Sequence, residues 1–196
     1  MDRADVNELY YITPIGNVGS ILQYGILSNN LASRLTHRSV AMPEIQALRM
    51  DKRIPGAGHL HDYVNLYFDA HNPMLSKVRQ HNDIICVLRV DAGVLDLPGV
   101  IIADCNASSD YVRFYPVTLG LAAIDKDVLF ARYWTHPDDI IKEWAHKSLK
   151  CAEVLIPDKV EPRWILAAYA ANQTALASFT KLSTALTASI PDGIFF

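Results

Sequence analysis

The chain has 196 residues, 51% of them apolar, with 18 Lys and Arg against 21 Asp and Glu for a net charge of −3. That size suits one domain over residues 1–196, and the composition fits a packed globular core. The near-neutral balance neither supports nor excludes a nucleic-acid partner, which needs a local basic patch and not a basic protein.

The opening "MDRADVNELYYITPIGN" is charged and mixed, unlike a signal peptide, and no apolar run is long enough to span a bilayer. The three cysteines, Cys86, Cys105 and Cys151, form no CxxC and no Cys/His cluster. Buried reduced thiols and a cytoplasmic location are therefore expected.

In chain order, "ELYYIT" predicts a strand and "NVGSILQYGILS" a short helix. Asn17 is the expected N-cap, Val18, Ile21 and Leu22 the apolar stripe, Gly25 the left-handed exit and Ile26 the apolar contact beyond it. "PEIQALRMDK" predicts a second helix with Pro43 at its first position, Ile45, Leu48 and Met50 facing inward, and Arg49 beside that stripe. Pro55 and Gly56 close it. "DYVNLYF", "DIICVLRVD", "GVIIAD" and "DVLFARYW" read as strands. "HPDDIIKEWAHKSLK" reads as a helix with acids in its first turn and lysines in its last, which suits the helix dipole. "AEVLIP" and "RWILAAYA" are strands, "NQTALASFTKLSTAL" is a helix, and "IPDGIFF" is a terminal strand. The sum is an α+β domain with a split or bent mixed β-sheet flanked by helices.

Several residues carry chemistry. His59 and His61 on a strand would share a face, a usable ligand geometry, but Asp62 would point the other way and no third ligand is near in sequence. Pocket-wall or hydrogen-bonded histidines are the alternative. Glu153 lies in an otherwise apolar strand. It is either an exposed edge position opposite Lys150 or Lys159, or a buried carboxylate that is paired or used. Arg49 is either a solvated rim residue or an inward fork of donors suited to phosphate or carboxylate. Arg34, His37 and Arg38 make a small basic cluster, each a solvated surface residue or a phosphate contact. There is no P-loop, no GxGxxG after a strand and no GxSxG elbow.

Taken together, "LYYITPIGNVGSILQYGILS", "RSVAMPEIQALRMDKRIPGAGHLHDYVNLYF", "NPMLSKV" and "AEVLIPDKV" resemble the DarT-type DNA ADP-ribosyltransferases, toxins of bacterial toxin–antitoxin pairs. The resemblance covers nearly the whole chain. Its most specific part is the order Arg38-Ser39, Ile45-Gln46, Arg49, a Pro-Gly turn, Leu60 to Val64, Tyr67-Phe68 and Pro73 to Leu75.

The resemblance implies an ADP-ribosyltransferase-like fold that takes NAD as co-substrate, releases nicotinamide and places ADP-ribose on a base of single-stranded DNA. The implied partner is an antitoxin macrodomain that removes the mark. The catalytic glutamate would be Glu153 and the catalytic arginine Arg49. Tyr11, Ile12, Thr13, Asn17, Gly25, Ile26 and Leu27, with Arg49, would hold NAD. Arg38, His61 and Tyr63 would meet DNA, Tyr63 by stacking on an unpaired base. One departure is that many relatives carry His where Tyr11 stands. Tyrosine can also stack and donate a hydrogen bond, so NAD binding is expected to survive.

The family role assigns Arg49 to proton abstraction, but its high pKa favours positioning and electrostatics. A carboxylate such as Glu153 would stabilise the oxocarbenium-like transition state formed when the nicotinamide–ribose bond breaks. Two other chemistries compete: an NAD-dependent RNA 2′-phosphotransferase, and a metal-dependent nuclease built on His59, His61 and Asp62.

Overall fold

A computed structural model describes residues 1–35, 43–182 and 184–196, with the backbone alone at 43–45. The elements in order are β1 (Glu8–Pro14), α1 (Val18–Tyr24), β2 (Ile26–Leu27), α2 (Asn29–Ala32), α3 (Pro43–Met50), β3 (Tyr63–Tyr67), α4 (Pro73–Lys77), β4 (Ile85–Asp91), β5 (Ile101–Ala103) and β6 (Phe114–Pro116). Then come α5 (Val117–Ala123), α6 (Lys126–Leu129), α7 (Ile140–Leu149), β7 (Glu153–Pro157), β8 (Lys159–Val160), β9 (Ile165–Ala170), α8 (Gln173–Thr180) and β10 (Ala188–Ser189).

Eight strands form one sheet in the order β10-β9-β4-β1-β3-β7-β5-β6, and β2 pairs with β8 beside it. The pairs are antiparallel except β10 with β9. The expected α+β class and mixed sheet are present. The split lies between β1 and β3, which share the single register pair Tyr10↔Tyr67. β1 keeps its full register with β4, from Glu8↔Asp91 to Pro14↔Ile85, while β3 keeps its own with β7. Past Tyr10 and Tyr67 the strands therefore diverge, and backbone groups there face a cleft instead of a neighbour. Burial explains the order: Cys86, Val87, Leu88, Val154 and Leu155 have no exposed surface, as strands covered on both faces require.

Several expectations need correction. "DVLFARYW" is not a strand. Asp125 accepts from Asp127 N–H and Val128 N–H and so caps α6, and Phe130 and Tyr133 point to solvent. "IPDGIFF" is not a terminal strand either: Pro191 lacks a donor, Gly193 sits at φ 73°, and the parallel edge strand is β10 just before it. The last helix stops at Thr180. Asn17 stands at the start of α1 but makes no capping hydrogen bond, because a 3-10 turn over Ile15–Asn17 leads into the helix and its Nδ2 reaches Thr13 Oγ1 at 3.4 Å. The two histidines of "HLHD" are not on a strand. Asp62 accepts the His59 N–H at 2.8 Å and closes a 3-10 turn over Leu60–Asp62 before β3 begins.

The exit of α1 is as expected in part. Gly25 has φ 94° and its N–H bonds Ile21 O at 2.8 Å. Its ψ of 173° is extended, so the chain leaves α1 directly into β2, and Ile26 is buried opposite Val160.

Candidate active site in the split of the sheet

The diverging ends of β1 and β3 open into a cleft of about 530 Å³, within the usual range for small-molecule sites. Tyr11, Ile12 and Thr13 line it from β1, Tyr63 and Tyr67 from β3, and Glu153 from β7. Pro73, Met74 and Lys77 of α4, with Lys147 and Ser148 of α7, form a further wall.

Glu153 begins β7, which lies between β3 and β5, with Tyr67 and Ala103 as its register partners. An interior position overturns the exposed-edge alternative, and the residue is 1% exposed. A carboxylate there needs compensation. Arg49 supplies it as a fork, Nη1 to Oε1 at 3.1 Å and Nη2 to Oε2 at 3.0 Å, and the Ala107 N–H donates to Oε1 at 3.0 Å. A carboxylate has about four acceptor positions. Among the described residues three are filled, and the remaining one is on Oε2.

The inward turn of Arg49 reverses the expected facing of α3. Arg49 is buried, whereas Leu48 and Met50 are each 59% exposed; the Ile45 side chain lies outside the described residues. The buried Glu153 carboxylate below the helix explains the choice, because left without a partner it would be costly and the Arg49 fork compensates it with two hydrogen bonds. Burial alone pulls the Arg49 guanidinium down, but the Glu153 charge and hydrogen bonds reverse that, and its pKa is raised. Arg49 is therefore a permanent cation.

The loop that carries Ala107 is held from both sides. Asn106 N–H bonds Ser148 O at 3.0 Å at the end of α7, and Lys52 Nζ reaches Ser109 O at 2.6 Å from the segment after α3. Sequence reasoning missed Ala107 and Tyr67 as site residues. The turn-rich "DCNASSD" after β5 was the available signal for the first, and the register of β3 with β7 that reveals the second is not written in the sequence.

His61, Tyr63, Asn17 and Leu27 line the cleft with Tyr11, Ile12, Thr13 and Arg49. Gly25 and Ile26 instead border a smaller adjoining hollow of about 60 Å³, which they share with Tyr11, Thr13 and Asn17. Arg38, with His37, lies outside the described residues, and Arg34 is exposed. The His61 pKa is lowered, first by burial and then by the Arg49 charge, so its ring is neutral at neutral pH. Its Nε2 is buried with no hydrogen-bond partner among the described residues. Cys151 also lines the cleft, but burial, with Glu153 nearby, pushes its thiol up to about 12, which makes it a poor nucleophile.

Asp62 spends its carboxylate on the His59 N–H and on Asn30 Nδ2 at 2.6 Å. Among the described residues no three His, Cys, Asp or Glu side chains converge as a metal site.

A family model described as "DarT: ssDNA thymidine ADP-ribosyltransferase" matches residues 10–193. The chain belongs to that DarT family. It is 29% identical over 198 residues to a DNA ADP-ribosyl transferase–DNA ADP-ribosyl glycohydrolase fusion protein of Thermosipho africanus, covering 96% of this chain and 49% of the fusion. The chain thus spans about half the length of that relative. Two DarT structures from Thermus sp. 2.9 share the fold. One, in complex with ADP-ribosylated ssDNA, superposes with a TM-score of 0.84 at 24% identity, over 98% of this chain and 97% of the other. The second, in complex with NAD+, gives a TM-score of 0.78 at 23% identity, over 97% and 98%.

Proposed function

We propose that this DarT-family chain transfers ADP-ribose from NAD to a thymidine base of single-stranded DNA and releases nicotinamide. The observation that carries the reading is Glu153, buried in the cleft floor with its geometry fixed by Arg49 and Ala107 and one acceptor position left on Oε2. The family description and the complexes of its relatives with NAD+ and with ADP-ribosylated ssDNA support it.

NAD supplies the electrophile. Its nicotinamide–ribose bond breaks, the pyridine nitrogen takes the bonding pair, and positive charge develops on the ribose. Glu153 accepts a ribose hydroxyl at Oε2 and lowers the cost of that charge. A base nitrogen then forms the new bond to the ribose carbon and gives up its proton to water. Arg49 holds the carboxylate in place through its two hydrogen bonds. The neutral His61 and Tyr63 face the incoming base, and Tyr11, Ile12, Thr13, Asn17 and Leu27 hold the dinucleotide.

In a cell the chain acts as the toxin of a toxin–antitoxin pair, in the cytoplasm, as one domain over residues 1–196. The fused glycohydrolase of the Thermosipho relative supports a macrodomain antitoxin that removes the mark. No helix among the described residues is long and apolar enough to cross a membrane.

The test is an intact-mass assay with purified protein, NAD and single-stranded oligonucleotides that differ in base content. The expected result is a gain of one ADP-ribose on thymidine-containing strands, lost in Glu153→Ala. Unmodified DNA on every strand, with NAD left intact, rules the transfer reading out.

A further inference from the structure

Lys150 is a charged side chain that the chemistry above does not use, and it has no exposed surface. Fully buried lysines are rare unless paired. This one is the C-cap of α7, three residues before Glu153. Its Nζ donates to Asp69 Oδ2 and, at 2.9 Å, to Ala131 O, and it lies 5.7 Å from the centroid of the Trp134 ring.

Asp69 stands two residues after the end of β3. Its Oδ1 accepts the His71 N–H at 2.9 Å, and its carbonyl accepts Asn72 Nδ2 at 2.7 Å. Asn72 in turn caps α4 through the Leu75 N–H at 2.9 Å, and Pro73 and Met74 of α4 line the cleft. One ion pair therefore joins the end of α7, three residues before Glu153, to the turn that leads from β3 into α4. Tyr67↔Glu153 is the last register pair of β3 with β7, and the ion pair lies just beyond it.

We propose that the Lys150–Asp69 pair is a positioning element of the transfer site, setting where Glu153 stands relative to the α4 wall. On the transfer reading above, the wall and the carboxylate must grip one substrate, so their separation has to be fixed. An ion pair whose lysine is fully buried and whose Asp69 side chain is 19% exposed is a poor device for stability alone, because neutral side chains of similar size often hold a fold equally well. Its two charged ends do define one geometry.

The test replaces both partners, Lys150→Met with Asp69→Asn. The asparagine oxygen still accepts the His71 N–H, and no buried charge is left without its partner. The double variant is expected to melt within a few degrees of wild type. Its kcat for modification of a thymidine oligonucleotide is expected to fall about tenfold or more, while KM for NAD moves about twofold or less. Hydrogen exchange at the Ala107 amide, which reports where Glu153 sits, is expected to quicken in the same variant, and this measurement needs no activity.

Wild-type kcat and wild-type Ala107 exchange in a folded double variant overturn the proposal. Should that variant melt far below wild type, Asp69→Glu replaces it: the pair is kept but displaced by one methylene. A folded Asp69→Glu protein with reduced kcat sustains the proposal, and one with wild-type kcat overturns it. A wild-type protein that modifies no DNA sinks the transfer reading instead, and Ala107 exchange then decides the positioning role by itself.

Discussion

Tyr67 and Glu153 stand opposite each other in the register of β3 and β7, and each is at most 8% exposed. Burial, and after it the Glu153 charge, holds the Tyr67 hydroxyl well above its ordinary range. The carboxylate thus faces a neutral phenol on one side and a cationic fork on the other. Arg49 fixes its position through two hydrogen bonds, and the rate should depend on that pair far more than on Tyr67.

Glu153→Gln is expected to lower kcat about 10²–10³-fold, the cost of removing one preorganised electrostatic group from a transition state. It also leaves the buried Arg49 charge uncompensated. Denaturant titration should show a loss of about 3–5 kcal/mol, the usual cost of breaking a buried pair. Tyr67→Phe serves as the control, with kcat within about threefold of wild type. An inactive Tyr67→Phe alongside an active Glu153→Gln would reverse the assignment.

The pattern of β1, β4 and β7 was legible because strands covered on both faces read as apolar runs, and the Arg49 and Glu153 positions were carried by motif. Their contact was not legible. They are 104 residues apart, and helix periodicity pointed Leu48 and Met50 inward instead, because periodicity registers apolar residues and not a charge waiting below. "DVLFARYW" misled for a related reason. Its β-branched and aromatic residues raise strand propensity, but the Asp125 cap decides the local structure and two of its aromatics are exposed. The Ala107 contact uses a backbone N–H, to which any side chain is silent.

Gly25→Ala is expected to damage both fold and NAD affinity. A Cβ there would stand 2.4 Å from Val160 O, on a backbone at φ 94°. The strain costs about 1–3 kcal/mol, and relief requires β8 to move from β2. Leu27, which lines the cleft, is paired to Lys159 in that small sheet. Thermal melting should fall, and KM for NAD should rise severalfold while kcat holds. A variant with wild-type KM would separate β2 from the NAD site.

His61→Gln tests the DNA-facing assignment. DNA modification should drop about tenfold or more while calorimetric NAD affinity stays within about twofold. There is a stability signature as well. The folded pKa of His61 is lowered from 6.5, so below pH 6.5 the unfolded chain binds more protons than the folded one. Its stabilising contribution is fully present above pH 6.5 and is lost as pH falls through the lowered folded value. Wild-type stability should therefore begin to fall just below pH 6.5, and the Gln variant should lose that early part of the decline. Unchanged DNA modification in the variant would remove His61 from the interface.

At alkaline pH the sign is opposite to the usual acid case. Cys86 is fully buried in β4, and burial moves its thiol from 9.0 up to about 12. Cys151 is pushed to about 12 in the same way, and Tyr10 rises from 10.0 to about 12. Between pH 9 and 12 the unfolded chain sheds protons that the folded chain keeps, so the folded state binds more protons and stability falls as pH rises. Each thiol steepens that fall by about 1.4 kcal/mol per pH unit. Urea midpoints measured from pH 8 to 11 should decline from near pH 9. Cys86→Ala should decline less steeply than wild type over the same window, whatever its starting stability. Equal slopes would mean that the Cys86 thiol ionises as readily in the fold as outside it, and that β4 is open to water on the time scale of the titration.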